Sequence, residues 1–255
     1  MTKTARNESA TRIYFASDIH LGGGDADFAR MNERRFVAWL DRAAADAEAI
    51  FLLGDIFDFW FEYRRVVPKG FVRTLAKLAE LTDRGIRIGF FTGNHDMWVN
   101  DYLQRECGME VYSTPRLLEL KGQRIFMAHG DNMGVGREPH LLNRIFRSRT
   151  LRWLFSWGVH PDWAMRFGHW WSGKSRKSHA GPEGFDESLT EPLIDFARHY
   201  AENHEVDHFV FGHMHFPRDY RDGTMHTIHL GGWEKCPSYA VLDTDGTLTL
   251  ETLEP

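Results

Sequence analysis

The chain is poor in cysteine and in long apolar runs. Its two cysteines, Cys107 and Cys236, do not form a Cys-x-x-Cys pair, so no disulfide framework can be read from them. No apolar run approaches the roughly 18 residues that a membrane span requires. The polar segment from Met1 to Arg12 lacks the apolar core of a signal peptide. We therefore expect a soluble protein in a reducing cytoplasm.

The sequence also lacks an excess of positive charge, since its formal net charge is −5. A duplex-binding protein usually needs a broad basic face, so we expect no nucleic-acid partner. Hydrophobic residues make up 42% of the chain and charged residues 26%, which argues against disorder and predicts a sizeable core. The length of 255 residues fits a single domain over 1–255 with an insertion. Nothing in the sequence indicates an oligomeric state.

The first half of the chain alternates β-rich runs with segments of helical periodicity. Strands are predicted over 12–17, 49–53 and 86–92, with helices over 28–47 and 71–81 between them. After Met109 the pattern changes to short strands, interrupted by one helix from Asp186 to Asn203. These later strands are predicted over 116–120, 124–128, 208–211, 225–229, 239–242 and 247–252. The two patterns together predict an α/β fold of two packed sheets flanked by helices.

The segment of residues 137–180 differs in composition from both halves. It contains nine basic residues against two acids, and five of the nine tryptophans of the chain. We interpret it as an inserted helical cap. Three functions are open for this cap: packing on the core as a solvated helix pair, binding nucleic acid, or binding an acidic lipid at a membrane interface.

Five polar motifs follow apolar β-type runs, and each contains or adjoins a glycine. Such positions place polar side chains on loops at one edge of a sheet, where α/β sheets tend to bind ligands. The motifs are Asp18-Ile-His20, Gly54-Asp55-Ile-Phe-Asp58, Gly93-Asn94-His95-Asp96, Ala128-His129-Gly130 and Gly212-His213-Met-His215.

The residue types in these motifs are typical of a site for two metal ions. Two divalent cations about 3.5–4 Å apart activate a water molecule and neutralise a phosphate. A carboxylate can bridge two cations, and Asp55 is the natural candidate. A mixed Asp, His and Asn set without thiolate favours Mn²⁺, with Fe²⁺ or Zn²⁺ as alternatives. Asp58 is expected to orient a ligand or to cap a turn.

The order and type of the five motifs resemble the calcineurin-like metallophosphoesterase family over residues 13 to about 243. The resemblance implies an α/β/β/α sandwich of two mixed sheets with an inserted helical cap. It also implies a metal-ligand set. Asp18, His20, Asp55 and His215 would hold the first metal, and Asp55, Asn94, His129 and His213 the second. His95 would stabilise or protonate the leaving oxygen, with Asp96 as its partner.

A narrower resemblance concerns the run Gly54-Asp55-Ile-Phe-Asp58-Phe59-Trp60, which is similar to the signature of the UDP-2,3-diacylglucosamine pyrophosphohydrolases of lipid A biosynthesis. It implies a nucleotide-linked glycolipid substrate and attack of water on its α-phosphorus, giving UMP and 2,3-diacylglucosamine 1-phosphate. Peripheral contact with the cytoplasmic face of the inner membrane would accompany such a substrate. The substrate contacts implied are Asn94 and the cap residues Arg149, Arg152, Lys174 and Arg176.

One residue departs from this subgroup, because its best-known members carry arginine where this chain has His95. Two alternatives therefore stay open beside the leading hypothesis. The first is a different phosphodiesterase or nucleotide pyrophosphatase of the same family. The second is a lipid-binding scaffold that has kept the fold without catalysis.

Overall fold

The computed structural model describes residues 11–131, 133, 148–179 and 187–253. These residues form eleven strands in two sheets: β1 Arg12–Ala16, β2 Ala47–Leu53, β3 Arg87–Phe91, β4 Glu110–Tyr112, β5 Arg116–Leu120, β6 Gln123–Ala128, β7 His208–Phe211, β8 Arg218–Asp222, β9 Met225–His229, β10 Ser238–Leu242 and β11 Leu248–Thr252. The helices are α1 Ala26–Ala43, α2 Val72–Asp83, α3 Tyr102–Cys107, α4 Arg149–Gly158, α5 Pro161–His179 and α6 Glu191–Ala201. A 3₁₀ turn covers Glu187–Thr190.

The first sheet has the strand order β11-β10-β1-β2-β3-β4. Strands β1 to β4 are parallel to one another, and helices α1 and α2 supply the crossovers between β1, β2 and β3. Strand β10 adds to β1 in the antiparallel sense and continues into β11. The predicted alternation of strand and helix in the first half of the chain is therefore confirmed.

The second sheet has the order β5-β6-β7-β9-β8, in which β6, β7 and β9 are parallel. Strands β5 and β6 form an antiparallel hairpin whose turn residues, Lys121 and Gly122, have φ values of 52° and 75°. Two successive left-handed residues are the backbone of a type I′ turn, which suits the twist of a hairpin. The later series of short strands is thus also confirmed.

The two sheets stack face to face with helices on both outer faces. Apolar side chains from the inner faces, among them Phe15, Phe51 and Ile228, are fully buried between the sheets. Helices α1 and α2 cover the outside of the first sheet, whereas α6 covers the second sheet through Leu193 and Ile194. This is the predicted α/β/β/α sandwich.

Several element boundaries differ from the prediction. Helix α1 ends at Ala43, because residues 44–46 form a turn into β2, which starts earlier than predicted. The helix predicted from Asp186 begins at Glu191 after the 3₁₀ turn, with a proline in its first turn. Asp186 itself lies outside the described residues. Pattern analysis also missed α3, β4 and β8. In β8, four of the five residues are charged.

Helices α4 and α5 lie within the predicted cap, whose stretch 137–147 falls outside the described residues. They join the core through an aromatic cluster in which Phe155 and Met165 pack against Phe59, Phe61 and Trp98. Three tryptophans of these helices face solvent, with exposed fractions of 58%, 81% and 75% for Trp153, Trp157 and Trp163. The insertion boundaries at 137 and 180 remain a prediction. Within the described part of the chain, no helix has both the length and the apolar character needed to cross a membrane.

Candidate metal centre

The five polar motifs converge on the edge where the carboxyl ends of the parallel strands of both sheets meet. Backbone hydrogen bonds join their loops directly. The Asp18 amide donates to the Gly54 carbonyl at 3.1 Å, and the Gly212 amide donates to the His129 carbonyl at 3.0 Å. Hydrogen bonds between backbone groups therefore bring motifs that are distant in the sequence to one edge of the sheets, as expected.

The backbone of this edge is unusual, because five residues of the predicted ligand set are left-handed. Asp18, His20, Asp55, His213 and His215 have φ values between 50° and 71°. Residues other than glycine rarely adopt this region, and they keep it only where the surrounding structure enforces it. In the described part of the chain, only two other non-glycine residues share it, Phe71 and Lys121. The strain is thus concentrated at the site.

Two motif glycines allow the loops to approach one another closely. A β-carbon on Gly93 would overlap Asp55 Oδ1, and one on Gly212 would overlap Ser17 Oγ. Neither collision is with the flexible end of a long side chain. The glycines of the Gly-Asn-His and Gly-His-x-His motifs are therefore required by packing around the two aspartates.

Four of the predicted ligands form one compact, buried group. Ligand atoms of Asp18, His20, Asp55 and His215 all lie within 4.8 Å of one another. His215 Nε2 is 3.2 Å from Asp18 Oδ1 and 3.1 Å from His20 Nε2, whereas His20 Nε2 is 3.9 Å from Asp55 Oδ2. This set is the one that the resemblance implies for the first metal.

The set implied for the second metal is brought together around Asp55. His129 Nε2 lies 3.3 Å from Asp55 Oδ2 and 3.2 Å from Asn94 Oδ1. The His129 Nδ1–H donates to the Leu53 carbonyl at 2.9 Å, which leaves Nε2 aimed at the carboxylate. The His213 ring centroid is 5.1 Å from that of His129, and the His213 amide donates to Asp18 Oδ2 at 2.9 Å. Asp55 is central to both groups.

The site fits divalent cations by its chemistry as well as by its geometry. His20 Nδ1 is buried without a hydrogen bond, and buried polar atoms normally have a partner. Burial opposes ionisation of the Asp55 carboxyl, but the surrounding histidines, with His129 the largest contributor, hold its pKa well below the usual value. Burial likewise opposes charge on His129, yet Asp55 raises the His129 pKa to about 10. The carboxylates therefore attract positive charge into a buried position.

His95 lies beside these ligands and is oriented from both sides. Its amide donates to Asp55 Oδ1 at 2.8 Å, and its ring Nδ1 is 2.9 Å from the Asp58 carbonyl oxygen. Its Nε2 is 3.8 Å from Asp55 Oδ2, and its ring centroid is 4.7 Å from that of His20. The ring thus has one nitrogen fixed by the backbone and the other turned toward the metal ligands.

Asp96 does not take the position that the sequence predicts. Asp96 was expected to be the partner of His95, but the His95 ring Nδ1 contacts the Asp58 carbonyl. The Asp96 carboxylate accepts instead from the Gly93 amide at 2.7 Å and from the Ile56 amide at 2.9 Å. The pKa of Asp96 is raised to about 7, mainly because the carboxyl is completely buried and secondly because the negative charge of Asp55 is nearby. Asp96 therefore holds two ligand-bearing loops together, because their amides need an acceptor inside the protein.

Asp58 connects the metal centre to the cap, which the sequence did not reveal. The Ser172 hydroxyl of α5 donates to Asp58 Oδ1 at 2.5 Å, and both residues are buried. The same oxygen is 3.8 Å from His20 Nδ1. Ligand atoms of His20, Asp58 and His95 also lie within 4.8 Å of one another. A serine in a helix carries no pattern that would have identified this contact.

The remaining predicted substrate contacts are on the cap helices. Arg149 and Arg152 belong to α4, and Lys174 and Arg176 belong to α5. Their side chains lie outside the described part of the structure, so these four contacts remain predictions. Asn94 is placed at the metal centre by its contact with His129.

The comparisons with known proteins agree with this site. A family model described as calcineurin-like phosphoesterase matches residues 11–217. A protein of Porphyromonas gingivalis, strain ATCC BAA-308 / W83, named UDP-2,3-diacylglucosamine hydrolase is 42% identical over 260 residues, covering 96% of this chain and 98% of the relative. A protein of that name from Pseudomonas aeruginosa, strain UCBPP-PA14, is 28% identical and covers 92% of this chain and 96% of the relative.

Among solved structures, an archaeal phosphodiesterase covers 95% of this chain and 99% of its own, with a TM-score of 0.47 and 14% identity. The family match includes all five metal-centre motifs, and the bacterial relatives extend over nearly the whole chain. The chain belongs to the calcineurin-like phosphoesterase family.

Proposed function

We propose that this protein hydrolyses UDP-2,3-diacylglucosamine to UMP and 2,3-diacylglucosamine 1-phosphate. The observation that carries the proposal is the convergence of the Asp, His and Asn side chains around Asp55, beside a helical cap that Ser172 joins to Asp58. Relatives named UDP-2,3-diacylglucosamine hydrolase align with both the site and the cap, which supports this substrate over a generic phosphodiester.

The proposed metal site divides its ligands around Asp55. Asp18, His20, Asp55 and His215 would hold one divalent cation, and Asp55, Asn94, His129 and His213 would hold the other, with Mn²⁺ favoured by the donor set. Such cations, when bound, neutralise phosphate charge and lower the pKa of an attacking water. The protein's own contribution is a buried position in which the Asp55 carboxylate and the imidazoles are already oriented.

His95 supplies the proton-handling group in this proposal. Its Nδ1–H donates to the Asp58 carbonyl, so a neutral ring presents Nε2 as an acceptor. Delivery of a proton to the leaving phosphate oxygen from Nε2 therefore requires the imidazolium form. Asn94 also serves the substrate, because its amide can donate to a phosphate oxygen.

The cap accommodates the diacylated glucosamine in this proposal. Arg149, Arg152, Lys174 and Arg176 contact the polar part of the glycolipid. The proposal includes contact with the cytoplasmic surface of the inner membrane. The solvent-facing Trp153, Trp157 and Trp163 support this part of it, since tryptophan favours the membrane–water interface. The substrate would then be taken directly from the membrane.

The proposal is tested by product analysis. Purified protein supplied with Mn²⁺ is incubated with UDP-2,3-diacylglucosamine, and UMP release is measured by chromatography beside hydrolysis of bis(p-nitrophenyl) phosphate. We expect UMP release with a strong preference for the lipid substrate. No UMP release together with robust cleavage of the small diester contradicts the proposal. Two transition-metal ions per chain by elemental analysis would exclude a metal-free scaffold.

His95 favours a second candidate, a phosphodiesterase or nucleotide pyrophosphatase of broader specificity. The subgroup's best-known members have arginine at this position, whereas a histidine is the general pattern of the larger family. Equal activity on several nucleotide diphosphates, with no preference for the acylated substrate, identifies this second function.

A further inference from the structure

A cavity of about 340 Å³ opens between helix α1, the loop before α2 and cap helix α5. Ligand pockets usually measure roughly 300–1,000 Å³, so this one accommodates a part of a UDP-linked glycolipid and not the whole molecule. We name it the α1–α5 cavity, and its walls include Gly22, Arg30, Lys69, Phe71, Arg73 and Met165.

The α1–α5 cavity adjoins the metal centre through the loop that follows β1. Gly22 comes two residues after the predicted ligand His20, and the Leu21 carbonyl accepts from the Asp58 amide at 2.9 Å. On the other side, the Phe71 ring is 4.9 Å from the ring of Phe57, which directly precedes Asp58. The cavity therefore lies beside a loop of the metal centre.

The walls of the cavity carry more positive than negative charge. Arg30, Lys69 and Arg73 face one carboxylate, that of Glu33, so three positive charges and one negative leave a formal excess of two. Glu33 lies 3.5 Å from Arg73 and partly offsets it. Within the described residues, neither Arg30 nor Lys69 makes an ion pair or a side-chain hydrogen bond. Two cations at the cavity are thus available to a ligand.

These charges favour one half of the proposed substrate over the other as the occupant of the cavity. An acyl chain placed here would take water away from Arg30 and Lys69 without giving them a hydrogen-bond acceptor, which is unfavourable. A nucleotide offers phosphate, ribose and carbonyl oxygens as acceptors, and its base can lie against an aromatic ring. The phosphorus under attack is joined to uridine through a single ester oxygen, so the uridine must lie next to the metal centre.

We propose that the α1–α5 cavity binds the nucleotide half of the substrate, with Arg30 and Lys69 donating hydrogen bonds to its oxygen atoms. Met165 of the cap closes one side of the same cavity, so the cap borders the nucleotide as well as the lipid. This assignment rests on the proposed function, because the nucleotide is the uridine half of that substrate.

The test is a double substitution, Arg30→Ala with Lys69→Ala, in the full-length protein supplied with Mn²⁺. Arg34→Ala with Arg42→Ala is the matched control. It likewise removes two exposed positive charges, but both of these residues lie on α1 outside the cavity. UMP binding is measured by calorimetric titration. The Michaelis constant for UDP-2,3-diacylglucosamine and the hydrolysis of bis(p-nitrophenyl) phosphate are measured beside it.

A hydrogen bond to a charged group contributes roughly tenfold or more in affinity, so we expect the double variant to bind UMP roughly a hundredfold more weakly. In the double variant, the Michaelis constant for the lipid substrate should rise in parallel and by a larger factor than that for the small diester, while the control variant keeps wild-type values. Unchanged UMP affinity in the double variant overturns the proposal. If the wild-type protein fails to hydrolyse the lipid substrate, the function assigned above is wrong, and the UMP titration still decides whether the cavity binds a nucleotide.

Discussion

The metal-centre loops and the cap helices differ in how firmly their side chains are fixed. At the metal centre, Asp18, Asp55 and His95 are buried, and each is held by contacts from a different motif. On the cap, Trp157 and Trp163 expose 81% and 75% of their surface. The described contacts between the two regions are few, mainly the aromatic cluster at Phe155 and the hydrogen bond from Ser172.

This difference suits the two regions to different tasks: the metal-centre loops to the reaction and the cap to recognition of the substrate. A metal-centred reaction needs ligands held within a fraction of an ångström, and buried loops with several hydrogen bonds provide this. Recognition of a flexible acylated sugar needs an adaptable apolar surface. Related proteins can therefore keep the first region and vary the second, which is the usual relation between a fold and its functions.

The largest expected effect comes from breaking the metal centre at its middle. Asp55→Ala removes the carboxylate shared by both proposed metal sites, so activity should fall by roughly a thousandfold or more, and elemental analysis should show loss of bound metal. Asp46→Ala is a control, since Asp46 is remote from the site and pairs with Arg12. Retention of two metals and of activity within tenfold of wild type in Asp55→Ala contradicts the bridging role.

His95→Ala tests whether His95 is a metal ligand or a catalytic group. We expect metal content to be unchanged and turnover to fall by roughly 10²–10⁴-fold, as for other groups that transfer protons. Activity and metal content are measured on the same preparation. A metal-free His95→Ala protein would show that His95 is itself a ligand.

Ser172→Ala tests whether the cap is coupled to the metal centre. The substitution removes a hydrogen bond to the buried Asp58 carboxylate, which lies near His20. Substitution of residues that support metal ligands typically lowers metal affinity or activity by roughly 10–100-fold, and we expect a loss of activity in that range. Ser156→Ala is the matched control, because Ser156 donates only within its own helix. Equal activity of the two variants would mean that the contact is structural.

The smallest effect on the chemistry is expected from the exposed cap tryptophans. Trp153→Ser with Trp157→Ser should leave bis(p-nitrophenyl) phosphate hydrolysis unchanged and alter the free energy of unfolding by no more than about 0.5 kcal/mol per exposed site. Binding to vesicles that contain anionic lipid should weaken. Sedimentation with vesicles measures this, and undiminished binding would remove these residues from the proposed membrane contact.

The fold was largely predictable because its strands are short, apolar and separated by clear turns. Strand β8 was missed because its sequence, Arg218-Asp-Tyr-Arg-Asp222, shows no alternation of apolar and polar residues. The strand also lies at a sheet edge. Strand β4 is only three residues long. Neither could be found by periodicity, because the signal depends on a buried face of sufficient length.

The convergence of the candidate metal ligands was predictable because five motifs occur in a fixed order, but their individual hydrogen bonds were not. Asp96 follows His95 directly, yet its side chain accepts from backbone amides of two loops. The contact between Ser172 and Asp58 joins residues 114 positions apart. Such contacts depend on how the loops and the cap pack in three dimensions, which no local pattern encodes.

The left-handed backbone at five of the metal-centre residues has a consequence for thermal stability. A conformation of this kind costs roughly 1 kcal/mol at a residue other than glycine, so five of them amount to about 5 kcal/mol. A whole domain is typically stable by only about 5–15 kcal/mol. Cations that bind the folded chain alone offset this cost by mass action, about 2.7 kcal/mol for each site at a concentration a hundred times its dissociation constant. The same ions that serve catalysis would therefore also raise the temperature at which the protein unfolds.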